Sequence, residues 1–276
     1  MRLAVQTASS QIISFDAPGA ISVAGSFDGT FPSSINNGGT ITGIYIDANT
    51  LYHGFLRSPG GEFLTFDAPG ASSASGTFDG TFPSSINNGG TITGNHIDSK
   101  ELMHGFLRSP RGEFTTFDAP GVSSVAASGY GTIPESINDA GAITGHYTDT
   151  HNVIHGFVRS PSGKLSSFDA PGAGSVAAFG YGTSPKSIND AGAITGHYVD
   201  ARNVNHGFVR SPSDKFTTID APGAGTNAGS GFWTFPDSIN NAGAIAGHYI
   251  DARRDESLRT SGKRLRPNAA CCKTVG

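Results

Sequence analysis

The chain of 276 residues carries 39 glycines, 15 prolines and only 14% charged residues, yet 36% are hydrophobic: enough for a packed core, divided by many turns. Its formal charge of −4 is uneven, because seven Lys or Arg after Ala252 against Asp255 and Glu256 make a tail of +5 and leave a body of −9. An acidic body without a basic stripe is not built to neutralise phosphates, so no nucleic-acid partner is expected of it.

In chain order, the opening MRLAVQTASSQIISF has one Arg and too short an apolar run for a signal peptide. Gln11 to Asp16 reads as a lone strand, closed by Ala-Pro-Gly. A repeat then begins. Asp-Ala-Pro-Gly starts at Asp16, Asp67, Asp118, Asp169 and Asp220, and Ser-Ile-Asn places its Ile at 35, 86, 137, 188 and 239, always 51 residues apart. His-Gly-Phe places His at 53, 104, 155 and 206, and the position due next is Ser257. Periodicity of this length marks stacked supersecondary units.

The third copy shows what one unit contains. Pro134 to Asn138 is a short alternating strand, and Asp139-Ala140-Gly141 supplies a tight turn whose glycine can take positive φ. Ala142 to Asp149 alternates Ile143, Gly145 and Tyr147 with Thr144, His146 and Thr148, the period-two pattern of a second strand. Ile154 to Ser160 is the third strand, Pro161-Ser162-Gly163 a turn, and Lys164 to Ala170 the fourth strand, stopped by Pro171-Gly172. A longer connector leads to the next copy. Four antiparallel strands per 51 residues, with no helical periodicity, predict an all-β chain folded as a five-bladed β-propeller over residues 1–252. A parallel β-solenoid is the rival architecture, disfavoured because each period reads as consecutive hairpins. The chain opens on a lone fourth strand and its last copy holds only the first two, so the N-terminal strand is expected to pair beside Ala244 to Asp251 and close the ring. Residues 253–276 break the pattern and read as a basic, irregular tail, a degenerate or frame-shifted end or a genuine cationic extension. The two cysteines, Cys271 and Cys272, are adjacent in that tail, so no disulfide framework staples the body. Nowhere does an apolar run approach the length of a membrane span.

The phrases Ser-Ile-Asn-(Asn/Asp)-x-Gly-x-Ile-Thr-Gly-x-Tyr-x-Asp and His-Gly-Phe-x-Arg-Ser-Pro-x-Gly-x-Phe, across roughly residues 11–251, resemble the HAF-type extracellular repeat family of bacteria. That family commonly has His-Ala-Phe where this chain has His-Gly-Phe. The resemblance implies a secreted, extracellular, propeller-like protein, and it brings no catalytic residues.

The copies differ most in the connector before Ser-Ile-Asn, yet an aromatic recurs there. Phe27, Phe78, Tyr130, Tyr181, Phe232 and Trp233, with Asp28 and Asp79, form the candidate ligand-binding set: rings to stack on sugars, carboxylates to bond their hydroxyls. The alternative is that these rings wedge between units. His146, His155 and Asp149 could hold a metal across one hairpin, whereas a polar group repeated once per unit more commonly ties strands together by hydrogen bonds. The Asp before each Pro-Gly corner is expected to accept backbone N–H bonds in its turn. Neither metal nor cofactor is expected. Near-identical units offer like environments, whereas acid–base hydrolysis needs carboxyl groups in unlike ones. The leading expectation is therefore a non-enzymatic, monomeric recognition module that binds glycans or a cell-surface polymer through repeated weak sites. Two further readings stand beside it: a propeller-type glycosidase or lyase using residues that break the repeat, such as Glu101, Glu113 or Glu135, and a purely structural surface repeat.

Overall fold

A computed structural model describes residues 12–21, 29–74, 79–124, 130–175, 182–224 and 233–250, and the backbone of 268–274. Among these residues every regular element is a β-strand. Unit one comprises β1 (Thr30–Ile35), β2 (Ile41–Ile46), β3 (Tyr52–Arg57) and β4 (Phe63–Phe66); unit two, β5 (Thr81–Ile86), β6 (Ile92–Ile97), β7 (Met103–Arg108) and β8 (Phe114–Phe117). Unit three follows as β9 (Thr132–Ile137), β10 (Ile143–Thr148), β11 (Ile154–Arg159) and β12 (Leu165–Phe168). Unit four is β13 (Gly182–Ile188), β14 (Ile194–Val199), β15 (Asn205–Arg210) and β16 (Phe216–Ile219), and unit five β17 (Thr234–Ile239), β18 (Ala244–Tyr249) and β19 (Asn268–Thr274). Units one and two are four-stranded antiparallel sheets, units three and four join into eight strands, and unit five has three. One parallel bridge, Ile154 to Gly182, makes that eight-stranded join, and matching bridges link Tyr52 to Gly80, Met103 to Gly131 and Asn205 to Trp233. The all-β, propeller-like repeat is thus observed, with antiparallel hairpins inside each unit rather than solenoid coils.

The recurring glycines are there for space. A Cβ on Gly43 would lie 2.2 Å from the Phe31 carbonyl oxygen and 2.8 Å from the Phe55 ring; on Gly54 it would lie 2.4 Å from the Phe66 ring. The first lets β1 bulge against β2 at Pro32/Ser34, and the second admits the fourth-strand Phe across the sheet. The hairpin turn glycine Gly141 does take positive φ, at 84°.

Each copy also explains its own wording through bonds to the next copy. The Asn of Ser-Ile-Asn uses its side-chain oxygen to close its own turn, Thr91 N to Asn87 Oδ1 at 2.9 Å, and donates from Nδ2 to the equivalent carbonyl one unit on: Asn36 to Asn87, Asn87 to Asn138, Asn138 to Asn189, Asn189 to Asn240. One residue later, the N–H groups of Asn37, Asn88, Asp139 and Asp190 donate to the side chains of Asn88, Asp139, Asp190 and Asn241. The serine before Ile accepts from the next unit's Ile N–H. Together the five segments line one cavity of about 420 Å³ into which all the first strands converge.

The Phe-Asp-Ala-Pro-Gly phrase works across the joint as well. Phe66 and Ala68 pack with Ile86, Ile92 and Phe106, so the end of unit one enters the core of unit two. The Ala N–H donates to a buried Thr of that next unit, Ala68 to Thr81 Oγ1 at 2.9 Å. Arg108 lies over the Phe66 ring, 4.8 Å from its centroid, as Arg159 lies over Phe117 and Arg210 over Phe168.

This division of labour corrects the expected ring closure. Phe15 and Ala17 pack on unit one, against Phe55 and Phe63, and Ala17 N–H donates to Thr30 Oγ1 at 2.8 Å. The N-terminal segment is the cap of unit one, in the role Phe66 and Ala68 play for unit two. From Ile12 onward it forms no strand, and its first expected residue, Gln11, lies outside the described residues. β18 instead pairs antiparallel with β19, so part of the tail expected to be irregular supplies a strand. The first-strand face of unit one stays open: Ile35 is 63% exposed, whereas Ile86, Ile137, Ile188 and Ile239 are each 6% exposed. Among the described residues the sheets do not form a clear closed ring of five blades.

Candidate functional site

Four units repeat an imidazole held between two carboxylates. His53, His104, His155 and His206 sit on third strands; Nδ1 meets the Asp of the Pro-Gly corner at 2.8–3.0 Å (Asp67, Asp118, Asp169, Asp220). Nε2 faces a second Asp at 3.5–3.6 Å (Asp47, Asp98, Asp149, Asp200). Those second carboxylates also close the loop between strands two and three, as Asn49 and Leu51 N–H groups donate to Asp47 Oδ1. The corner Asp thus bonds a histidine rather than the backbone of its own turn. His155 is held above the ordinary histidine range by its hydrogen bond to Asp169, against the opposing effect of burial. In units one, three and four the ring stacks on Tyr45, Tyr147 or Tyr198. This repeated set ties the third strand to the corner beyond the fourth. The candidate metal trio is not assembled: His146 points to Glu135, while His155 joins Asp149 and Asp169.

Function is better sought where the repeat breaks. In the second unit His96 takes the tyrosine position beside His104, ring centroids 5.3 Å apart, and a polar cleft of about 530 Å³ opens among His96, Asp98, His104 and Asp118. Burial, then the nearby His104, pushes the His96 pKa down. Three of its lining residues, Asp98, His104 and Asp118, belong to the repeated set.

The larger break lies in two neighbouring columns on the first and second strands. One reads Ser33, Ser84, Glu135, Lys186, Asp237; the other reads Ile44, Asn95, His146, His197, His248. Units one and two carry neutral residues there, and units three to five carry six ionisable ones. Lys186 Nζ bonds Glu135 Oε1 at 2.5 Å across the joint between units three and four. His146 Nδ1 stands 3.5 Å from the same oxygen, and His248 Nδ1 bonds Asp237 Oδ2 at 2.8 Å. The Phe235 ring bridges the row, edge-on to His197 at 5.0 Å and stacked on His248 at 4.7 Å. Burial drives the His146 pKa down to about 4, with Glu135 opposing and Lys186 adding to the fall. His197 falls to about 3, by burial and then by the charges of Lys186, His146 and His248. Both imidazoles are therefore neutral at physiological pH, and neither Nδ1 has a hydrogen-bond partner among the described residues. The row thus combines an ion pair, a carboxylate-oriented imidazole and two neutral, half-buried rings, the unlike environments that acid–base chemistry needs.

Of the three glutamates that break the repeat in sequence, only Glu135 joins this row. Glu101 sits exposed on a turn at φ 64°, and Glu113 is exposed on another, its N–H bonded to Ser109 Oγ. Lys186, His197, Asp237 and His248 escape a reading of the sequence because no single copy looks unusual. Only columns read down the repeat reveal them.

Of the connector set expected to bind a ligand, three residues, Asp79, Tyr130 and Trp233, are among the described residues. Phe27, Asp28, Phe78, Tyr181 and Phe232 lie outside the described residues. Asp79 is 7% exposed, its backbone oxygen accepting from Tyr52 N–H; Tyr130 is half-buried with its carbonyl accepting from Met103 N–H. Trp233 is half-buried and packs edge-on against Phe235.

No family model and no curated protein matches this sequence. Among solved structures the chain is similar to that of a streptogramin B lyase, with a TM-score of 0.48 and 14% identity over 95% of this chain and 73% of that one. It is also similar to a selenomethionine-substituted virginiamycin B lyase from Staphylococcus aureus, with a TM-score of 0.38 and 12% identity over 80% of this chain and 77% of that one. Both are named as enzymes. Where a non-enzymatic glycan-binding module was expected, the similar structures are lyases. Among the described residues no helix is long and apolar enough to cross a membrane, and no three His, Cys, Asp or Glu side chains gather to hold a metal ion.

Proposed function

We propose that this protein is a propeller-type lyase whose acid–base chemistry resides in the row from Glu135 to His248. The observation that carries the reading is the confinement of six ionisable residues to two columns of units three to five, where units one and two have Ser33, Ser84, Ile44 and Asn95. Such an elimination needs a base for a carbon-bound proton, a positive charge beside the developing enolate, and a proton for the leaving oxygen. His248, oriented by Asp237 at 2.8 Å, is the base. Lys186, held by Glu135, supplies the positive charge. The proton passes from carbon to the His248 imidazole, the carbon–oxygen bond breaks with its electron pair leaving on oxygen, a carbon–carbon double bond forms, and the imidazolium returns the proton to that oxygen. His146 and His197 stay neutral, so they donate to the substrate without neutralising the Glu135 carboxylate.

The first probe substrate is streptogramin B, after which one of the similar lyases is named, alongside a panel of esters carrying an oxygen leaving group β to a carbonyl. Formation of the conjugated product is followed by ultraviolet absorbance. The expected result is turnover by the parent and at least ~100-fold slower turnover by His248→Asn and Lys186→Met, in line with loss of a positioned base or charge. A parent without elimination activity on the whole panel, or variants as fast as the parent, would sink the proposal.

A further inference from the structure

Four of the five units bury a phenylalanine at one place. Phe55, Phe106, Phe157 and Phe208, on the third strands, are 0–1% exposed, and each pairs in register with a second-strand glycine: Gly43, Gly94, Gly145 or Gly196. In unit five the corresponding glycine is Gly247, and the residue in register with it is Cys271. The structure has a cavity there. It measures about 260 Å³ and is lined by Ile219, Ala221, Thr234, Pro236, Ile245 and Gly247, with Asp220 and His248 also on its wall. One repeat earlier these six positions are Phe168, Ala170, Thr183, Pro185, Ile194 and Gly196; of them Ala170, Ile194 and Phe168 pack in the Phe208 core cluster. The cavity is therefore the phenylalanine socket of the fifth unit without its ring.

We infer that this socket is a binding site for a small molecule bearing an aromatic ring, of benzyl to indole size, with a polar substituent directed at Asp220 and His248. An apolar cavity of only ~150 Å³ already takes up benzene, because water gains too few hydrogen bonds there to compete. Here the chain itself shows four times over which group the walls fit. Ile245 is 4% exposed and Ile219 and Ala221 6–7% exposed, so the walls are set by the packing around them. The inference concerns binding and holds whether or not the adjacent row catalyses a reaction.

The test uses toluene and indole as probes on the full chain, followed by methyl NMR. Saturable shifts are expected at Ile245 and Ile219, while Ile143 and Ile194, beside filled sockets, stay unmoved. Cys271→Phe, which puts a phenylalanine in register with Gly247 as in the other four units, should abolish those shifts and raise the melting temperature. Should that variant fail to fold, Ile219→Phe, which restores the residue of the preceding copies, narrows the socket and should weaken indole binding at least tenfold. No saturable shift at Ile245 in the parent, or unchanged indole affinity in a folded Cys271→Phe, would overturn the inference.

Discussion

The open face of unit one makes the repeat its own control. Ile35 and Ile137 occupy the same position in two copies, yet one is 63% and the other 6% exposed. Replacing each by Ala removes the same atoms from different surroundings. At Ile137 the side chain packs with Ala119, Ile143, Tyr147 and Phe157, so the change loses both transfer free energy and contacts around a new cavity. That costs about 3 kcal/mol, within the usual range for a buried Ile. At Ile35 most of the side chain already meets water, and the loss should stay under ~1 kcal/mol. Urea denaturation of the two single variants, compared by midpoint at equal slope, measures the difference directly. A gap of at least ~2 kcal/mol is expected. Equal losses would refute the reasoning, because they would mean that the first-strand face of unit one is covered in solution as the others are.

Two other outcomes follow from the packing. His146 and His197 are pushed down to about 4 and 3, below the unfolded histidine pKa of ~6.5, so below that pH the unfolded chain binds more protons than the folded one. Stability should be full above about pH 6.5 and fall as pH drops toward 4, and His146→Asn with His197→Asn, the residue found at 95, should flatten that acid slope in melts run from pH 4 to 8. Gly94→Ala should cost ~3 kcal/mol or more, because its Cβ would lie 2.2 Å from the Phe82 carbonyl oxygen, whereas Gly223→Ala, at φ +90° with nothing within 4 Å, should cost only the ~1–2 kcal/mol of its left-handed backbone; similar melting temperatures for the two would contradict this account.

The amino-acid sequence by itself determined the repeat and its hairpins. Period-two alternation, turn glycines and Pro-Gly corners act over a few residues, so the strands of unit three lie close to where Ser-Ile-Asn, His-Gly-Phe and Phe-Asp-Ala-Pro-Gly predict them. It also exposed Glu135 as a departure from the repeat. What only the tertiary structure decided is how copies join. Phe15 and Ala17 cap unit one, and β18 pairs with β19, because an apolar Phe-x-Ala step is satisfied by whichever neighbouring core is open to it, and periodicity does not say whether that core precedes or follows. The same holds for the site. Lys186 reaches Glu135 from 51 residues away, and His197 loses its proton through burial beside Lys186, His146 and His248; both effects depend on distance and solvent exclusion between copies, which no local pattern encodes.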